Sequence, residues 1–320
     1  MAIADGPDGI VSTTPLITRT ARRRPRHSSR QRREAWWGLA MIAPLGFGLG
    51  VFYLWPIVQT IYYSFTTWGA FGGSKWTGLA NYRKLIHDTQ VWGSLRNTVI
   101  YTVLVLLTIP IAMCVAAIMN QRGIKFKGTF RTLYFLPTVT MPTAIALVWV
   151  YMYNGDSGLI NQGLKVFGIT GPSWLGNPHT ALVAIAVVGI WCQLGYAVLL
   201  YMAGLQAIPE TLYEAASIDG ASSYRKFISV TVPMLSPTTL FVSVISVIGS
   251  MQLFDLVFLM IPAVSPAAGA TNSIVKLFYQ TAFQNANGGY AAAIVLVLLV
   301  IIGLLTALQF VLQRRWVHYD

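Results

Sequence analysis

Six apolar runs, each long enough to cross a bilayer, constrain this chain more than any other feature of its sequence. A membrane helix needs about 20 mainly apolar residues. The runs cover roughly residues 37–65, 98–119, 132–153, 181–203, 238–261 and 290–312. Composition agrees. Of 320 residues, 55% are hydrophobic and only 10% charged, against about 25% charged in an ordinary soluble domain. So little charge cannot clothe a water-facing surface. A soluble enzyme or nucleic-acid binder is therefore excluded for the whole chain, and an all-α integral membrane protein is predicted. Pro110, Pro137 and Pro142 fall inside the second and third runs. Membrane helices tolerate proline where neighbours satisfy the freed carbonyl.

The charge distribution predicts topology. Net charge is +12, but the 22 Lys and Arg do not form a stripe that nucleic acid would require. Eight precede residue 34 (Arg19, Arg22, Arg23, Arg24, Arg26, Arg30, Arg32 and Arg33), and the others punctuate gaps between apolar runs. With the N-terminus inside, cytoplasmic segments carry 16 of the 22 and outer segments 6. The positive-inside rule then puts both termini in the cytoplasm. Residues 1–34 read as a disordered basic tail that cannot bury a core, and residues 35–320 as the membrane domain. The first run is too long for a signal peptide and no A-x-A-like site closes it, so it reads as an uncleaved span.

Chemistry-bearing patterns are sparse. Cys114 and Cys192 sit inside apolar runs and read as small hydrophobes. The four His are scattered, no HExxH or CxxC occurs, and no P-loop occurs. This chain is expected to hold no metal, nucleotide or other cofactor and to catalyse nothing itself.

The segment 205–237, between the fourth and fifth runs, carries its own helix signals. Pro209 suits a first helical position, and Glu210 favours the positive end of a helix. Leu212, Ala215, Ala216 and Ile218 are apolar at near-helical spacing, and Asp219-Gly220 reads as a stop. Ser222 or Ser223 can cap a second short helix presenting Tyr224, Phe227 and Ile228, which must end by Pro233. A compact helical pair on a membrane face is a docking surface more readily than a linker.

Glu214-Ala-Ala-x-x-Asp219-Gly220-Ala221, followed by Phe227, Pro233 and Pro237, resembles the EAA loop of binding-protein-dependent ABC transporter permeases. Asn81-Tyr82, Asn97-Thr98, Phe130 to Pro137, Trp174-Leu175-Gly176, Gly204 to Pro209 and Phe254 to Val257 are similar to the carbohydrate-uptake branch, the maltose and glycerol-3-phosphate types. The resemblance runs from about Trp36 to His318. It implies a MetI-like permease fold of six transmembrane helices in a bacterial cytoplasmic membrane. It also implies a second homologous permease, giving a heterodimer, an extracellular solute-binding protein, and two ATP-binding subunits carrying ATP and Mg. Glu214, Ala215, Ala216, Asp219 and Gly220 would then couple to the ATPase, with Glu214 meeting a polar group in its cleft and Gly220 allowing the turn. Relatives often carry Gly-Gly-Pro after the fifth helix; here Ile261 to Ala270 keeps only remnants, so the role of that outer loop is not carried over.

The same resemblance points to a sugar path lined by Trp191, Leu194, Gly195 and Val198 on the fourth run and by Ser246, Gly249, Ser250 and Leu253 on the fifth. Aromatic faces and neutral hydrogen-bonding groups suit a polyhydroxylated ligand. Gly and Ser also serve plain helix packing, and both readings stand. Asp255, ionisable within a run, is either a substrate ligand or a cap near the helix end. The spans offer no cation for a phosphorylated solute. The alternative from another class is a secondary transporter or channel. Such folds show internal repeats, and none relates the halves of this sequence.

Overall fold

The computed structural model describes residues 29–69, 72–121 and 127–316. The chain divides into two compact units, one ending at Pro56 and one starting at Ile57. Helix α1 (Ser29–Leu49) opens inside the stretch read as a tail; residues 1–28 lie outside the described residues. A π-turn at Gly50–Leu54 follows, then α2 (Trp55–Ser64). Pro56 accounts for the wider turn, because it has no N–H to give and its ring would crowd the carbonyl four residues back. Trp37, Phe47 and Phe52 stand exposed along this segment, as a helix facing lipid requires.

The second unit continues from α2 through an antiparallel hairpin, β1 (Thr66–Trp68) and β2 (Ser74–Trp76), with Thr66 opposite Trp76. Then come α3 (Ala80–His87), α4 (Thr89–Val105), α5 (Thr108–Met119), α6 (Lys127–Val139), α7 (Pro142–Met152), α8 (Leu159–Val166) and α9 (Ala181–Gln206). The segment 205–237 supplies α10 (Glu210–Ile218), α11 (Ser223–Lys226) and α12 (Val232–Met234). The chain closes with α13 (Ser236–Met251), α14 (Asp255–Met260), α15 (Ala268–Thr271), α16 (Ile274–Tyr279) and α17 (Gly288–Trp316).

The apolar runs do not map one to one onto straight helices. Among the described residues, four helices are long and apolar enough to cross a membrane: Trp36–Ser64, Thr89–Met119, Ala181–Gln206 and Gly288–Arg314. The second starts nine residues before the run at 98, and Pro110 loosens it at Leu106, whose carbonyl accepts from Ile109 instead. The run 132–153 is a pair, Gly128–Val139 and Pro142–Met152, bent by 104°. Pro142 forces Met141 out of the helical region, to φ −59° and ψ 133°. The run 238–261 is not one helix either. Helix α13 stops at Met251, and its continuation lies on the other side, where Ser223–Met234 and Ser236–Met251 meet at 66°. Beyond Met251, the Ser273 hydroxyl takes the Leu253 carbonyl at 2.6 Å, and Asp255 opens the short α14.

Helix α9 is central, packing on α4, α5, α6, α13 and α14. One core cluster gathers Val105, Ile185, Val188, Val257 and Ile261 near its start. A second gathers Ala116, Val198, Tyr201, Leu205 and Leu235 near its end. Polar fasteners hold the end where α9 starts. Asn97 Nδ2 donates to the carbonyls of Gly269 and Asn272 (3.1 and 3.2 Å), and the Thr98 hydroxyl accepts from the Ile274 N–H at 3.0 Å. Asn81 Nδ2 reaches the carbonyls of Ser64 and Thr66, while Tyr82 meets the Ser64 hydroxyl at 2.8 Å. Two of the sequence motifs are therefore clamps that hold α4 to α15–α16 and the hairpin to α3.

Candidate functional site

At the opposite end, past the last turn of α9, α10 and α11 make a corner. Pro209 is the residue before the first helical turn rather than in it, with Glu210 opening α10. Gly220 takes φ +72°, which an L side chain adopts only at a cost. The Gly220 N–H bonds the Ser217 carbonyl (3.1 Å) and the Ala221 N–H bonds the Ala216 carbonyl (2.9 Å), a Schellman closure. Ser222 caps α11 by accepting from the Arg225 N–H. The second helix does not end by Pro233: it widens into a π-turn at Phe227–Thr231 and runs to Met234. Pro233 is tolerated because it opens a fresh turn.

The corner is held rigidly on one side and left bare on the other. Tyr213 and Phe227 pack against the α5–α9 cluster beside Ile208 and Leu235. Tyr213 and Thr231 share a hydrogen bond of 3.0 Å, and Lys226 Nζ donates to the Ser217 hydroxyl at 2.6 Å, joining the two short helices. Facing out are Glu214, Ala215, Asp219 and Gly220. Ala216 is half-buried. Ile218 is 87% exposed and Tyr224 77% exposed. Two large apolar side chains flanking a tight turn, with a carboxylate one helical turn away, form a surface suited to covering by another protein.

The residues expected to line a path are only partly brought together. A cavity of about 260 Å³ lies among α6, α9 and α13, lined by Thr138, Cys192, Gln193, Tyr196, Ser246 and Gly249 among others. Ser250 joins through Gln193, whose Nε2 donates to its hydroxyl at 3.4 Å. Gly195 is buried, and a Cβ there would run into the Tyr134 carbonyl and the Thr138 hydroxyl, so it is a packing position against α6. Val198 and Leu253 are core residues, and Leu194 packs against the same cluster as Val198. Trp191 leans edge-on against Trp149, ring centres 5.6 Å apart. Asp255 is exposed at the start of α14, where its charge favours the positive helix end.

Residues 108–318 match the model of the family described as binding-protein-dependent transport system inner membrane component. The chain belongs to this family. The permease is 34% identical over 282 residues to the lactose transport system permease protein LacF of Rhizobium radiobacter, covering 87% of this chain and 94% of that one. It is 36% identical, over 87% and 95% of the two chains, to the sn-glycerol-3-phosphate transport system permease protein UgpA of Agrobacterium fabrum. Its fold is that of a chain in a bacterial ABC transporter that imports the acidic polysaccharide alginate (TM-score 0.79, 22% identity, 89% and 98% coverage). Membership makes it a membrane-embedded transport component, not an enzyme.

Two features of the permease escaped the sequence reading. Thr138 and Cys192 join the cavity because the Thr138 hydroxyl donates to the Cys192 carbonyl at 3.4 Å, bringing α6 onto α9. The two threonines between Pro137 and Pro142, Thr138 and Thr140, were the available signal. Lys276, counted only as a loop charge, is 5% exposed.

Proposed function

We propose that this permease is one of two homologous membrane subunits of an ATP-driven importer and forms a path for a sugar or related polyhydroxylated solute. In this reading it spans the membrane six times, the bent α6–α7 pair making one crossing and α13 another, with both termini in the cytoplasm. Two separate ATP-binding subunits hold ATP and Mg, and an extracellular solute-binding protein delivers the solute. Segment 205–237 is the handle. Glu214, Ala215, Ala216, Asp219 and Gly220 seat in the ATPase, and closure of the ATPase pushes α10 against α9.

One observation carries the reading: the corner at Gly220 is anchored into the α5–α9 cluster by Tyr213 and Phe227, yet presents Ile218 and Tyr224 to the outside. A flexible loop would absorb a push, whereas a packed helical pair transmits it. Neutral groups around the α6–α9–α13 cavity suit hydroxyl-bearing solutes, and the relatives named for lactose and glycerol 3-phosphate support that class. Asp255, Trp191, Leu194, Val198 and Leu253 would then shape the path at its walls rather than touch solute in the cavity.

The test is uptake beside membrane insertion. Gly220→Trp and Glu214→Lys should each lower uptake at least tenfold, with normal amounts of chain in the membrane fraction. A Cβ at Gly220 meets open space, so the larger side chain clashes with nothing, and the left-handed backbone there costs only about 1–2 kcal/mol, confined to the turn. Normal uptake in both variants would remove the coupling role.

A further inference from the structure

Lys276 lies on α16, at the end of the molecule away from the Gly220 corner, and only 5% of it is exposed. Its ammonium has three protons to donate but a single contact, to the Val257 carbonyl at 3.5 Å. That carbonyl already accepts from the Ile261 N–H. Burial alone lowers the Lys276 pKa, with no charged neighbour among the causes. An ammonium out of water without a partner is strongly unfavourable, so something must face it when it is charged.

Beside it is a cavity of about 340 Å³ between the start of α4 and α15–α16, with Lys276, Asn272, Gln280 and Ser94 in its wall. That is room for far more than one water, whose share of the liquid is about 30 Å³. Asn272 Nδ2 donates to Gln280 Oε1 at 3.4 Å, but Asn272 Oδ1 is buried with no donor facing it. A cation lacking an anion thus borders a cavity walled by side-chain amides and a hydroxyl. We propose that this cavity binds a small hydroxylated acid, its carboxylate or phosphate paired with Lys276 and its hydroxyls meeting the Asn272 and Gln280 amides of the wall. The anion site follows from the cavity itself; its use by the transported solute rests on the function proposed above. It would give the permease a cationic group on the solute side that the apolar runs lack.

Binding can be read without transport. The full importer complex in lipid nanodiscs is dialysed against labelled galacturonate, galactose 6-phosphate and neutral galactose. At least one acid should bind ten times tighter than galactose, and which one identifies carboxylate or phosphate as the anion. Lys276→Met should lose at least tenfold of that preference and Lys276→Arg should keep most of it. Should Lys276→Met fail to assemble, Asn272→Asp keeps the shape and should repel the acid by a similar factor. Equal binding of all three sugars, or an unchanged preference in whichever variant assembles, overturns the site. An acid that binds but is never taken up leaves the site standing and counts against the import reading; uptake of galactose with no acid bound does the reverse.

Discussion

Two glycines that look alike in sequence do opposite things. Gly195 lies where α9 touches the α6 backbone, and an added Cβ has no flexible neighbour to displace at the Tyr134 carbonyl. Gly249 has nothing within 4 Å of the same added atom and borders the α6–α9–α13 cavity. Gly195→Ala should therefore destabilise the permease by about 1–3 kcal/mol through overpacking, seen as a lower melting temperature of the purified complex. Gly249→Ala should melt as the parent does, and any loss of uptake then reports on the path. Equal melting of the two variants would mean that α6 does not press on α9 as closely as described.

At the scale of elements, the helical pair α10–α11 works only if its anchor is stiffer than its docking face. Tyr213 supplies both ring packing and the bond to Thr231. Tyr213→Phe keeps the ring and loses a hydrogen bond of about 1 kcal/mol, so uptake should fall less than threefold. Tyr213→Ala removes the ring as well. In inside-out vesicles it should speed trypsin cleavage at Arg225 and Lys226 several-fold and reduce recovery of the ATPase with the membrane subunits. Unchanged cleavage would place the anchor elsewhere, with Phe227 the next residue to replace. The bent pairs follow the same logic. Pro142 sets where α6 and α7 part, and the 104° between them comes from packing α6 and α7 separately onto α9 and α14.

Across the whole molecule, the two ends of the second unit differ in kind. One is clamped by Asn81, Asn97 and Thr98 and holds the cavity at Lys276; the other bears the Gly220 corner. The proposed orientation puts the first outside and the second in the cytoplasm. In a Cys114→Ser background, Val264→Cys should react with an impermeant maleimide on intact cells, since Val264 is 95% exposed. Ile218→Cys should react only after the membrane is opened. The reverse pattern would invert the topology.

Some of this was legible without coordinates, because its causes are local. Low charge and long apolar runs demand lipid, the Asp219-Gly220 pair stops one helix, and Ser222 starts the next. These depend on neighbours within about one turn. What the runs could not disclose depends on partners far along the chain. The Ser273 hydroxyl takes the carbonyl that would have carried α13 past Leu253, so Asp255 heads a separate helix. Gly195 became a packing residue because Tyr134 arrives opposite it. Lys276, an ordinary loop charge by its neighbours, lost its water when α16 packed on α4 and α17. Periodicity records which side chains avoid water; which of them meet, and which charge is shut in with them, is decided only when the helices close on one another.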